Sequence, residues 1–209
     1  FSIKNIFADF QREFPDKSPK AVFIALPSPF YKARSLCLST DFNSQRKITN
    51  LDLENLILEG KDKTYQFYGK DSNIFEVSVL NKAVNRYPLK NVVGCLGYSF
   101  SLNTRYAVCD NTLTEMIKRS FFPFGYIPDI TFYTLPTVYT NLISNMANKK
   151  ETQLIIDVGD DITEFMILEN GFLQQIASAP IGFKDIKGSV SNAFSVGNLN
   201  ASSLIKAFI

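Results

Sequence analysis

The residues with the most chemical potential lie where an apolar run, Ile155-Ile156-Asp157-Val158, meets Gly159-Asp160-Asp161 and resumes as Ile162-Thr163-Glu164. Four carboxylates gather around one tight turn. Gly159 permits close backbone approach, and Asp160 and Asp161 tolerate the left-handed conformations that such a turn can require. Two readings follow. In one, the segment is an acidic hairpin tip in solvent. In the other, the backbone N–H groups of the turn face a phosphate, and Asp157 holds a hydrated magnesium ion. The two differ in what sits opposite the turn.

Other motifs carry less. The chain has no histidine, so Ser-His, Cys-His and imidazole–zinc chemistry are excluded. Cys37, Cys95 and Cys109 are scattered without a C-x-x-C pair, which argues against a disulfide framework or a four-thiolate metal site and for a reducing compartment. Cys109 reads as a small buried hydrophobe. Ser203-Leu204-Ile205-Lys206 matches a Ser-x-x-Lys pattern but lacks its companion motifs, and no P-loop, dinucleotide or hydrolase-elbow signature occurs.

The elements that must position these groups come from an ordinary globular composition. The 209 residues are 45% hydrophobic, with 22 Lys+Arg against 20 Asp+Glu, so a sizeable core is available and no broad charge argues for nucleic acid. No apolar stretch is long enough to span a bilayer. Helices are expected over residues 2 to 14, from Asn50 behind a Thr49–Asp52 capping box, from Asp110 or Asn111, and from Pro136. Thr112-Leu113-Thr114-Glu115 reads as a further capping box. Strands are expected at Ala21–Leu26, Arg34–Thr40, Tyr65–Tyr68, Asn73–Leu80, Tyr98–Cys109, Ile130–Tyr133, Gln153–Val158 and Ile162–Leu168. Asn170-Gly171 reads as a hairpin turn into Phe172–Ala177. Residues 189 to 203 are loop-like in composition, although Ala201–Phe208 could be helical. Phe1 opens inside a helical pattern, and the end at Ile209 has no polar tail, so the chain reads as an internal piece of a longer protein.

Several strings resemble FtsA, the actin-like cell-division family, and its relative PilM of type IV pilus assembly. Val22-Phe23-Ile24-Ala25-Leu26-Pro27 is similar to the strand opening the small subdomain inserted in the FtsA core. Ile48 to Asn55 resembles the start of its helix, Tyr87 to Gly94 the turn before its last strand, and Leu102 to Cys109 that last strand. Asp157 to Glu164 resembles the second phosphate hairpin of actin-like ATPases, usually Asp-x-Gly-Gly-Gly-Thr-x-Asp, and Pro180-Ile181-Gly182-Phe183 the Pro-x-Gly-Gly turn that follows. Asp160 and Asp161 replace small residues, and Glu164 replaces an Asp.

The resemblance implies an α/β fold with an actin-like (ribonuclease H-like) core and a small α+β inserted subdomain. Residues 1–20 would end a first core segment, 21–105 form the insertion, 106–150 return to the first core domain and 151–209 open the second. It implies ATP and Mg²⁺ at Asp157, Gly159, Asp160, Asp161, Thr163, Glu164 and Gly182, with Asp157 on the metal through water. Binding would be weak or lost, because like charges about 4 Å apart repel by about 1 kcal/mol in water and by more where water is excluded. The function implied is a cytoplasmic, self-associating adaptor of the FtsA type, with no catalytic residues and at most a weak ATPase. It would link a filament-forming division protein to the inner face of the membrane through segments outside these residues. The alternatives are a PilM-like scaffold holding a peptide of an inner-membrane pilus protein in a groove, and an active actin-like ATPase.

Overall fold

The structure is a computed structural model that describes residues 3–125, 128–146, 151–169 and 172–207. The chain divides into two units, Phe1–Val138 and Tyr139–Ile209.

The first unit has two sheets. Strand β1 (Ala21–Leu26) pairs in parallel with β6 (Asp129–Thr134). The string Val22–Leu26, expected to open the inserted subdomain, shares no ladder with the second sheet. That sheet has the order β2-β5-β3-β4 and is antiparallel: β2 (Lys32–Lys47), β3 (Ser72–Val84), β4 (Tyr87–Pro88) and β5 (Leu96–Asp110). Helix α1 (Ile3–Glu13) puts Phe7 into a cluster with Leu26, Tyr31, Ala107, Cys109, Ile117, Phe121 and Phe132, which packs the two sheets together. Helix α2 (Asn50–Tyr68) covers a second cluster that holds Leu38, Ile48, Leu56, Val92, Phe100 and Leu102.

Strand β5 is the axis of this unit. Phe100, Leu102 and Tyr106 are fully buried, and each such side chain contributes about 1.5–3 kcal/mol of burial. Helix α2 starts where its capping box requires. Thr49 Oγ1 accepts from Asp52 N–H at 3.3 Å, and Asp52 Oδ2 accepts from Thr49 N–H at 2.8 Å. Arg46 clamps the same carboxylate, at 3.0 and 2.5 Å, and holds it well below the usual carboxylate range. The expected strand Tyr65–Tyr68 is instead the last turn of α2. Leu56, Gly60 and Thr64 recur every four residues on its buried side, and Tyr106 Oη donates to Ile57 O at 3.1 Å. Helical burial overrides the β preference of the aromatic residues there.

Helix α3 (Asn111–Arg119) is capped by Asp110, whose Oδ1 accepts from Thr112 N–H at 2.7 Å. The Thr112–Glu115 pattern therefore lies inside the helix and caps nothing: Thr114 donates to Asn111 O, and Glu115 pairs with Lys118. The helix stops short of Phe121, and a 3₁₀ turn closes on Gly125 at φ 78°. Helix α4 (Leu135–Met146) has Pro136 in its first turn.

In the second unit β7 (Gln153–Val158), β8 (Thr163–Glu169) and β9 (Phe172–Ala179) form an antiparallel meander over Met166, Leu168 and Leu173, with Tyr139, Ile155 and Ile176 packed against them. The expected turn at Asn170-Gly171 lies outside the described residues. The stretch read as loop is helical: α5 (Phe183–Phe194) and α6 (Asn198–Ala207) contain all of it except the short link 195–197. Two of its serines bond back to the helix four residues earlier. Ser189 Oγ donates to Asp185 O, and Ser203 Oγ to Leu199 O.

Candidate functional site

In the second unit, the residues expected to bind a nucleotide come together. Asp157 faces Glu164 and Val158 faces Thr163 across β7–β8. Gly159 N–H donates to Ile162 O at 3.0 Å and closes the turn. The carbonyls of the turn then point at the start of α5: Gly159 O accepts from Phe183 N–H at 2.8 Å and Asp160 O from Lys184 N–H at 3.0 Å. Gly182 N–H donates to Asp185 Oδ2 at 2.8 Å, and Thr163 Oγ1 to Ile181 O at 2.6 Å.

Two glycines make this closeness possible. A Cβ on Gly159 would fall 2.8 Å from Ile162 O, and one on Gly182 2.3 Å from Asp160 O. The first turn of α5 is thus tied down by the loop it supports, with its leading N–H groups already donated.

The charge around this turn is negative. Asp160 and Asp161 are exposed, and Glu164 is buried. Lys184 Nζ lies 2.7 Å from Asp161 Oδ1, which pushes the lysine up. Tyr139 borders the strand pair; its phenol is pushed up first by burial, then by the charge and hydrogen bond of Asp157 and by Glu164. Tyr139, Lys184 and Asp185 were not legible as site residues, since each is separated in sequence from the motif or carries no pattern of its own. Among the described residues no group of three or more His, Cys, Asp or Glu side chains is placed to hold a metal ion.

The first unit holds a cleft that the sequence did not announce. It has a volume of about 370 Å³ and is lined by Pro29, Phe30, Tyr31, Val108 and Cys109, with Tyr68 at the end of α2. Lys32, Asp71, Ser72 and Asp110 supply polar groups. The turn after β1, which contains the cis Ser28–Pro29 bond, presents Phe30 at the opening, 55% exposed, while Tyr31 is buried in the core. Burial, and secondarily Asp110, push the Cys109 thiol up to about 11, so it serves as lining and not as a nucleophile. Asp110 sits well on the charged side, held down by its hydrogen bonds with Thr112. The arrangement is an open cleft whose lining mixes apolar and polar groups in nearly equal parts.

No family model matches the chain. No curated protein matches it. Among solved structures, a chain of a PilM–PilN type IV pilus biogenesis complex is similar over 98% of this chain and 55% of its own, with a TM-score of 0.65 and 12% identity. A protein of actin-like ATPase fold and unknown function from Bacteroides thetaiotaomicron is similar over 94% of this chain and 64% of its own, with a TM-score of 0.45 and 14% identity. The chain therefore spans less than two thirds of either. No helix among the described residues is long and apolar enough to cross a membrane. The fold is α/β of the actin-like class, shared over nearly the whole chain with that chain of the PilM–PilN complex.

Proposed function

We propose that the chain belongs to a cytoplasmic scaffold of the PilM type, which holds a short extended peptide of an inner-membrane pilus protein in the cleft of its first unit. The observation that carries this is the cleft itself, a space of about 370 Å³ with mixed apolar and polar lining that includes the exposed Phe30. Similarity of fold to PilM favours this reading over the division adaptor. The chain would act by binding.

The acidic turn supports the same conclusion, because its residues do not fit the phosphates of ATP. Asp160 and Asp161 replace small residues at the tip, Phe183 and Lys184 N–H groups are spent on the carbonyls of the turn, and Lys184 is paired to Asp161. A triphosphate brought to the turn would meet the exposed carboxylates of Asp160 and Asp161.

Two titrations test the reading. A synthetic peptide from the cytoplasmic start of a PilN-type membrane protein should bind the chain with micromolar affinity, and Phe30→Asp should weaken it at least tenfold while leaving the melting temperature unchanged. Absence of binding, or indifference to Phe30→Asp, would remove the cleft as the site. Magnesium–ATP should show no saturable binding in the micromolar range; micromolar binding abolished by Asp157→Ala would restore the nucleotide site.

A further inference from the structure

The end of the four-stranded sheet remote from the cleft has a composition unlike the rest of the molecule. At the rise of an antiparallel strand, β5 runs about 33 Å from Tyr98 to Val108, so the two sites lie at opposite ends of one sheet. From Val77 to Cys109 the sequence contains no Asp or Glu. Asn85 and Arg86 take positive φ, 49° and 71°, and Asn85 Oδ1 accepts from the N–H groups of Tyr98 at 2.8 Å and Ser99 at 3.1 Å. This fixes the β3–β4 turn against the start of β5.

The fixed turn displays large apolar side chains to solvent. Tyr87 is 73% exposed, Tyr98 56%, Leu96 55%, Val93 49% and Leu89 41%. Cations surround them. Arg86 and Lys90 flank Tyr87 and Leu89, Leu89 N–H donates to Lys82 O, and Lys47 lies across the ladder from Leu96. Among the described residues none of Lys47, Lys82, Arg86 and Lys90 is in an ion pair. The acids nearest this end include Asp41, opposite Ser99, Asp52, which Arg46 holds, and Glu54, exposed in the opening turns of α2.

From this we propose that the end of the sheet is a peripheral membrane surface that recognises anionic lipid. Tyrosines seat at the level of the headgroups, aliphatic side chains enter the acyl boundary, and cations meet the anionic headgroups. A second copy would set the four cations against their own images across a two-fold axis. An acidic protein would match the charges but gives no role to five exposed apolar side chains. The proposal stands independently of the peptide in the cleft.

Co-sedimentation of the full chain with phosphatidylcholine vesicles, with and without phosphatidylglycerol, tests it. The chain should be retained by the mixed vesicles at low salt and released as salt rises. The triple variant Lys82→Glu, Arg86→Glu, Lys90→Glu should lose at least about tenfold in affinity, and so should Tyr87→Ser with Tyr98→Ser, at unchanged circular-dichroism melting. Lys90→Glu alone should give a smaller loss, which serves if the multiple variants fold poorly. Three results would overturn the proposal: no retention by mixed vesicles, equal retention of the single and triple charge variants, or a concentration-dependent dimer abolished by the same substitutions in a chain that ignores vesicles.

Discussion

The turn between β7 and β8 is made from eight consecutive residues and the glycine that caps α5, whereas the cleft draws its lining from 29–32, 68–72 and 108–110. The turn closes on itself, because its carbonyls consume the N–H groups of Phe183 and Lys184 at the start of α5. The cleft stays open because no single element owns it. Its walls are the turn into β2, the end of α2, the start of β3 and the end of β5, each held elsewhere by its own packing, so the space where they meet is left to a ligand. A motif can thus be complete in a few consecutive residues, while a site without a motif is assembled only by the fold.

The largest expected effect comes from the network that joins the two sheets shaping the cleft. Glu76, at a bulge in β3, accepts from Thr134 N–H at 2.7 Å and from Thr137 Oγ1 at 2.7 Å; Arg105 Nη2 reaches Glu76, Thr134 and Thr137 at 3.3, 3.2 and 2.9 Å. Both charged side chains are buried, and Arg105 Nε and Nη1 have no hydrogen-bond partner among the described residues. Arg105→Met leaves the carboxylate buried without its cation, which should cost about 3–5 kcal/mol in chemical denaturation. It should also speed labelling of the Cys109 thiol in a chain whose other cysteines are Ser, because the cleft wall loses its anchor. Labelling that rises only in proportion to global unfolding would show that the network stabilises the unit without shaping the cleft.

On the side of the turn, Gly182→Ala is the sharpest perturbation. Its Cβ would lie 2.3 Å from a backbone oxygen that cannot rotate away, so the loss should be about 2–4 kcal/mol. Hydrogen exchange should show it in β7, β8 and α5. An unchanged exchange pattern would mean that the turn and α5 are not a single assembly.

These two sites also differ in how far the sequence disclosed them. The turn was legible because its chemistry is consecutive, and the start of α2 because a capping box is a four-residue signal. The cleft was not, since Phe30, Asp71 and Cys109 become neighbours only when β2, β3 and β5 pair. Tyr65–Tyr68 misled for a related reason. Its aromatic residues favour a strand locally, yet the spacing of Leu56, Gly60 and Thr64 commits the segment to α2, and a Cβ at Gly60 would sit 2.0 Å from Tyr106 Oη. That contact lies 46 residues away, beyond the reach of any local pattern.

A smaller effect separates the anchoring of α2, which brings Tyr68 to the cleft, from that of α5. Asp52→Asn removes the charge that Arg46 and Thr49 hold, and should cost about 1 kcal/mol at neutral pH. The folded Asp52 titrates below its unfolded value near 3.9. Its contribution is therefore fully present above that value and is lost as pH falls through the folded one. Denaturation midpoints of the two chains should differ by a constant amount from about pH 5 to 8 and converge in acid. A gap that persists in strong acid would assign the effect to the amide and not to the lost charge.

The smallest expected effect has the opposite sign. Gly188 lies within α5, six residues after Gly182, and a Cβ there would meet nothing within 4 Å. Alanine in a helix interior is favoured over glycine by about 0.5–1 kcal/mol, so Gly188→Ala should stabilise the second unit by that amount. The pair of substitutions tests the role of the turn, because both add the same methyl group, one at the cap of α5 and one inside it, and only the first meets the carbonyl of Asp160. If Gly188→Ala also destabilises, α5 is constrained along its length and the tie to the turn is one contact among several. If it stabilises while Gly182→Ala does not, the start of α5 is held by the turn alone, and the acidic loop is a structural cap whose phosphate-hairpin sequence has been put to another use.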